Sequence, residues 1–236
     1  MSIAENVAAI RSRIDAAAIA AGRDPKQIQL CAATKMNDAA AVRQAIAAGV
    51  DLCGENRVQE LVQKQKENAY EGAPVHFIGV LQTNKVKQVV GKVDVIQSVD
   101  RMNLLEAIQK EAAKQGIRQD IFLEVNVGRE ESKSGFLSEE VLPLLEHIGE
   151  FPNIFVRGLM AIPPISENYG DNRKFFQEIF QLSVDISAKK YDNVSMDCLS
   201  MGMSDDFEDA IGCGSTMIRI GTAIFGARDY AKIHQK

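Results

Sequence analysis

Short runs of Val, Ile, Leu, Phe and Cys, with little polar alternation, recur at 29–34, 50–54, 75–79, 93–98, 120–127, 154–160, 194–200 and 217–221. Unbroken apolar runs of this length mark strands buried on both faces, as in a parallel sheet covered by helices. The segments between them, near 37–48, 55–69, 83–91, 101–115, 138–148, 172–190 and 205–211, carry helical patterns. Ahead of the first strand, Ile3, Val7, Ile10, Ile14 and Ala18 recur at three- and four-residue steps and predict a helix over 3–21, ended by Gly22 and the turn Asp24-Pro25. Thr83, Ser138 and Ser204 are the expected N-caps, and Asp100 precedes the helix that begins Arg101-Met102. Strands alternating with helices predict an α/β fold: a single (β/α)8 TIM-like barrel over 1–236 with an extra N-terminal helix. An open doubly wound sheet is the competing arrangement. Its phosphate fingerprint, GxGxxG after the first strand, is absent.

Composition narrows the partners. With 236 residues, 46% of them hydrophobic, the chain can bury a full core. The formal charge is −5, and Lys and Arg form no basic stripe, which argues against a nucleic-acid partner. Cys31, Cys53, Cys198 and Cys213 show no CxxC spacing. The first three lie in or beside apolar runs and read as reduced core residues of a cytoplasmic protein. Cys213, within Gly212-Cys213-Gly214, is expected to be more exposed. His76, His147 and His234 are too scattered for a metal site. The N-terminus has neither an uncharged leader core nor an acid-poor transit composition, and no apolar run is long enough to span a bilayer. No long apolar stripe is left unassigned, so a monomer is expected.

In barrels of this kind the site lies at the carboxyl ends of the strands. Strand one ends in Lys35, strand two in Gly54-Glu55-Asn56, and strand three contains His76 and ends Ile78-Gly79. Strand four ends in Ser98, strand five in Asn126, and strand six in Arg157-Gly158-Leu159-Met160. Strand seven gives Ser200-Met201-Gly202-Met203-Ser204-Asp205-Asp206 and strand eight Arg219-Ile220-Gly221-Thr222. Taken singly, most of these residues have an ordinary role. Asn56 and Ser98 serve as helix caps, the glycines permit turns, and a strand-end lysine is solvated. Two segments ask for more. Ser200-Met201-Gly202 and Gly221-Thr222 follow strands seven and eight, where barrels commonly bind a phosphate group. Glycine lets backbone N–H groups approach an anion, and the hydroxyls add donors. At about 1.5–3 kcal/mol per charge-assisted bond, three or four reach the roughly −8 kcal/mol of micromolar binding. Arg219 shares the side of Gly221, and an arginine there is a ligand group at the rim. A strand-one lysine, a phosphate cradle and this arginine together suggest pyridoxal 5′-phosphate.

The motifs also carry a family resemblance. Gly54-Glu55-Asn56-Arg57-Val58-Gln59-Glu60, His76-Phe77-Ile78-Gly79 with Leu81-Gln82-Thr83-Asn84-Lys85, and Lys133-Ser134-Gly135-Phe136 match its segments. So do Arg157-Gly158-Leu159-Met160-Ala161-Ile162-Pro163, Ser200 to Asp206 and Arg219 to Gly226. The chain resembles the pyridoxal phosphate homeostasis protein family, also called proline synthase co-transcribed-like, which is related to the N-terminal barrel of bacterial alanine racemase. The match spans nearly the whole chain. One departure stands beside the lysine. The family usually reads AVSKT, whereas this chain reads Ala32-Ala33-Thr34-Lys35-Met36 followed by Asn37, a change that bears on access to the amine.

The resemblance implies that Lys35 holds the cofactor as a Schiff base, with Ser200, Met201, Gly202, Gly221 and Thr222 around the phosphate, Arg219 facing the pyridine nitrogen, and Asn56 and His76 nearby. An arginine can only donate, so it keeps that nitrogen unprotonated and weakens the ring as an electron sink. Alanine racemase recruits a tyrosine base from an additional domain and a partner subunit. Here the chain ends at Lys236, and Tyr70, Tyr169, Tyr191 and Tyr230 offer no evident second base. The expectation is a non-catalytic carrier that buffers pyridoxal phosphate for vitamin B6 homeostasis and hands it to acceptor apoenzymes. A pyridoxal phosphate-dependent racemase, a cofactor-responsive regulatory protein and a cofactor-free Schiff-base aldolase remain the alternatives.

Overall fold

Burial of a strand on both faces is satisfied by closing the sheet on itself. In the computed structural model, which describes residues 1–165 and 170–226, the strands form a closed barrel in the order β1-β2-β3-β4-β5-β6-β7-β8. They are β1 Gln29–Ala33, β2 Leu52–Glu55, β3 Val75–Phe77, β4 Val95–Val99, β5 Gln119–Val125, β6 Ile154–Ala161, β7 Val194–Ser200 and β8 Met217–Ile220. Every neighbour is parallel, and β1 closes on β8 through Cys31↔Arg219 and Ala32↔Ile220. This is the (β/α)8 TIM-like fold expected from the apolar runs. The lumen is filled by Cys31, Leu52, Val95, Phe122, Met160, Cys198 and Met217, so the barrel is a packed core and not a pore.

The helices are α1 Ile3–Ala20, α2 Ala39–Ala47, α3 Val58–Lys66, α4 Met102–Gln115, α5 Ser138–Glu146, α6 Arg173–Lys189, α7 Phe207–Gly212 and the single turn α8 Thr222–Phe225. α1 buries Val7, Ile10, Ile14 and Ala18, the stripe read from its spacing, against Ala45, Phe207, Ile211 and Ile224. It therefore fills the place in the outer layer that the four-residue α8 leaves open. Ser2 and Glu5 close a capping box at its start.

Three local expectations change. The 83–91 segment is a 3₁₀ helix, Thr83–Gln88, and not an α-helix. Thr83, Ser138 and Ser204 do not cap: the cap positions are Gln82, Leu137 and Asp206, and Arg101 stands at the cap of α4 after Asp100. The Ser138 hydroxyl bonds Glu178 and the Asp100 carboxylate pairs with Arg101. Cys213 is buried like the other three cysteines. Burial pushes the Cys53 and Cys198 thiols up to about 12, which makes them poor nucleophiles.

One glycine is a steric requirement of the barrel. A Cβ on Gly158 would lie 1.9 Å from the Cys198 carbonyl oxygen across the β6–β7 pair, where the register shifts between Val156 and Gly158.

Candidate functional site

The ends of β1, β2, β7 and β8 meet on one side of the rim. Lys35 is half-buried, two residues beyond Ala33. Ala33 pairs with Gly54 on β2, and on the other side a Cβ at Gly221 would touch its Cβ at 3.5 Å. Lys35 thus stands between Asn56 and the Gly221-Thr222 segment along the rim.

The peptides on both sides of Lys35 are pinned. Lys64 Nζ, reaching up from α3, donates to the Thr34 carbonyl (2.7 Å), to Glu55 Oε2 (2.6 Å) and to Glu60 Oε2 (3.1 Å). The Thr34 hydroxyl and Tyr70 OH also donate to Glu55 Oε2. Glu60 Oε2 accepts from the Met36 N–H at 2.7 Å. Asn37 Nδ2 donates to the Lys35 carbonyl. Glu55 and Thr34 are fully buried and Lys64 is 5% exposed, so this is a sequestered ionic knot. It also holds Met36 at φ 63°, a left-handed conformation that a non-glycine residue adopts only when its surroundings enforce it. Met36 and Asn37, the departures that follow the lysine, are therefore the residues whose backbone and side chain close this turn.

On the β7–β8 side of Lys35 the backbone is prepared for an anion. The N–H groups of Gly202, Gly221 and Thr222 have no acceptor among the described residues. Gly202 sits at φ +97°, and a Cβ there would meet Ala210 Cβ at 2.6 Å, so only glycine fits. Met201 packs its side chain into the outer core and bonds its N–H to the Met217 carbonyl, so it offers the site no donor. Ser200 also differs from expectation. Its hydroxyl is fully buried, donates to Gln97 Oε1 (2.7 Å) and accepts from Arg219, which takes it away from any anion.

Arg219 lies 5% exposed at the top of the lumen. Nη1 serves the Ser200 carbonyl and hydroxyl and Nη2 the Ala161 carbonyl, leaving Nε without an acceptor among the described residues. Asn56 Oδ1 is buried with no hydrogen-bond partner. An orphan of this kind costs about 1–3 kcal/mol unless something supplies a donor. An unsatisfied acceptor, three unpaired backbone donors and a half-buried amine around one arginine fit a phosphorylated aldehyde cofactor.

Sequence reasoning passed over Glu124. It lies on the face of β5 that carries the lumen residue Phe122, and is 8% exposed. Desolvation first, then the charge of Asp100, pushes its carboxyl up to about 7, against the opposing pull of Arg219. The unfolded chain releases this proton near 4.5, so between 4.5 and about 7 only the folded state keeps it, and stability falls as pH rises. Above 7 the folded barrel holds the charge at a cost of roughly 3 kcal/mol. Glu124→Gln should accordingly gain roughly 2 kcal/mol on the wild type between pH 5 and pH 8 in urea unfolding. A pH-independent difference would contradict this assignment.

His76 is not at the rim. It sits in mid-strand, paired in register with Gly54 and Val95, its ring edge-on to Phe122 and bonded to Gln97. Among the described residues it is linked to the rim through Gln97 and Ser200. Of the tyrosines, Tyr70 is committed to Glu55, while Tyr169 and Tyr230 lie outside the described residues, as does His234. Among the described residues no group of metal-ligating side chains forms a site, and no helix is long and apolar enough to cross a membrane.

A closed barrel with a strand-one lysine, an arginine on the last strand and open backbone donors beside it is the architecture of the alanine racemase barrel class. The profile of the family described as alanine racemase, N-terminal domain, matches residues 3–229. Two relatives are named pyridoxal phosphate homeostasis protein. That of Aquifex aeolicus is 44% identical over 98% of this chain and 100% of its own. That of Pseudomonas aeruginosa is 43% identical over 97% of each. The structure of PipY from Synechococcus elongatus with pyridoxal phosphate bound superposes with a TM-score of 0.82 at 31% identity, covering 95% of this chain and 100% of that one. The chain belongs to the pyridoxal phosphate homeostasis protein family.

Proposed function

We propose that this protein binds pyridoxal 5′-phosphate at the rim, holds it reversibly on Lys35 as a Schiff base, and delivers it to acceptor apoenzymes, acting as a monomeric carrier with little or no turnover of its own. The observation that carries the reading is the set of N–H groups of Gly202, Gly221 and Thr222, which have no acceptor among the described residues and line the rim on the β7–β8 side of Lys35, beside Arg219. When bound, pyridoxal phosphate supplies an aldehyde that the Lys35 amine captures with loss of one water. The protein does the rest. The glycine-lined backbone takes the phosphate, and Asn56 Oδ1 offers an acceptor at the edge of the ring site. Arg219, an obligate donor, keeps the ring nitrogen free of a proton. Tyr70, the buried tyrosine beside the lysine loop, is bonded to Glu55 and so is not free to act as a second base. The bound PipY of the same fold supports the choice of cofactor.

The test is an absorption titration of the purified chain with pyridoxal phosphate. Wild type should develop a visible band that borohydride removes. Lys35→Ala should show no band and lose at least about tenfold in affinity, or 1.4 kcal/mol. No band in folded wild type would end the proposal. Sustained racemisation of an amino acid beyond stoichiometric turnover would leave the site standing and remove the carrier reading.

A further inference from the structure

The opposite, amino-terminal mouth of the barrel is open as well. A cavity of about 630 Å³ opens there, between the segment that precedes β1 and the first residues of β4 and β8. Its walls are Val95, Phe122 and Met217, its mouth carries Lys26, Arg157 and Asp197, and His76 faces it from mid-barrel. His76 is 8% exposed, and its Nε2 has no hydrogen-bond partner among the described residues.

A chain of hydrogen bonds sets the proton on that ring. Arg219 can only donate, and it donates into the Ser200 hydroxyl oxygen at 2.7 Å. Ser200 has one hydrogen, and among the described residues Gln97 Oε1 at 2.7 Å is its acceptor. Gln97 must then present its amide nitrogen to His76 Nδ1 at 2.8 Å, so Nδ1 accepts and the proton sits on Nε2. The relay begins at the cofactor rim and ends as one buried donor at the other mouth. Desolvation pulls the His76 pKa down to about 4, which keeps the ring neutral with that single donor.

We propose that the cavity at the amino-terminal mouth binds a small carboxylic acid with an apolar body, one carboxylate oxygen accepting from His76 Nε2 and the chain packing on Val95, Phe122 and Met217. Lys26 supplies the attracting charge, since Arg157 is already tied to Asp120 and Asp197. An acceptor on Nε2 strengthens each bond along the relay in turn and tightens Ser200 on Arg219. Occupancy is thereby felt at the rim, a consequence that rests on the cofactor reading given above, whereas the site itself does not.

The experiment uses the full chain with ¹⁵N-labelled histidine and 3-methylbutanoate as the probe. Without cofactor, long-range ¹H–¹⁵N spectra should place the His76 proton on Nε2. Titration should shift the His76 nitrogens saturably in the millimolar range while leaving His147 unmoved. Lys26→Glu, a change at an exposed position that leaves the fold intact, should weaken the probe at least fivefold. A proton on Nδ1, or no His76 shift at 20 mM probe, would overturn the site. In the second arm, saturating probe should change pyridoxal phosphate affinity about fivefold in wild type and not in Gln97→Leu. An unchanged ratio in wild type that does bind the cofactor would overturn the coupling. Failure to bind the cofactor at all would instead count against the functional reading, with the probe arm unaffected.

Discussion

Lys64→Met should destabilise the protein by about 3–5 kcal/mol and loosen its hold on the cofactor as well. Glu55 is fully buried, and Lys64 is its only cationic partner among the described residues. Removing one member of a buried pair leaves the other as an uncompensated charge, and that penalty dominates the loss. The remaining donors to the Glu55 carboxylate, from Thr34, Tyr70 and the Asn56 and Arg57 N–H groups, are neutral and cannot replace it. The same ammonium holds the Thr34 carbonyl and steadies Glu60 beneath Met36, so both peptides flanking Lys35 lose their anchor. Urea unfolding reads the first effect and pyridoxal phosphate titration the second. Glu55→Gln combined with Lys64→Met removes both charges and should recover at least half of the stability but not the affinity, because the turn stays unpinned. Equal recovery of both would show that the knot stabilises the barrel without positioning the lysine.

Gly158→Ala should be the most damaging single methyl in the described chain. The added carbon would sit 1.9 Å from a main-chain oxygen of β7, and no flexible side chain stands there to give way. Ordinary overpacking costs about 1–3 kcal/mol because neighbours rotate aside. Here two strands must separate, and in a closed barrel every strand is held from both edges. We expect a loss above about 4 kcal/mol, read as a fall in the thermal midpoint or as loss of soluble protein. A variant within 1 kcal/mol of wild type would mean that the register shift near Val156 can move to absorb the carbon.

The strands were legible because burial on both faces leaves an unbroken apolar signature. The run read at 120–127 is the strand Gln119–Val125, and the run at 194–200 is Val194–Ser200. Helix ends were less legible, since tertiary partners decide them. Ser138 looks like a cap in sequence, yet Glu178 on another helix takes its hydroxyl. Of the candidate site, Lys35, Gly202, Gly221 and Arg219 were legible from strand ends and glycines. Lys64 could not, because a lysine four residues after Glu60 on a helix reads as a solvated pair. Glu124 could have been found by counting in twos from the inward Phe122. His76 was misplaced because β3 is only three residues long and its middle residue does not reach the rim.

The β1–β8 pairing also sets a schedule for biosynthesis. β1 takes one of its two neighbours from residues 217–220, so the barrel cannot close until nearly the whole chain has been made. At about 5–20 residues per second, β1 waits on the order of 10–40 s with an open hydrogen-bonding edge. α1 buries Val7, Ile10 and Ile14 partly on Phe207, Ile211 and Ile224, so its own apolar stripe waits as long. Newly made chains should thus present their first fifty residues to chaperones until the last strand emerges, and a truncation just before Met217 should be recovered as an aggregating species and not as a smaller folded domain.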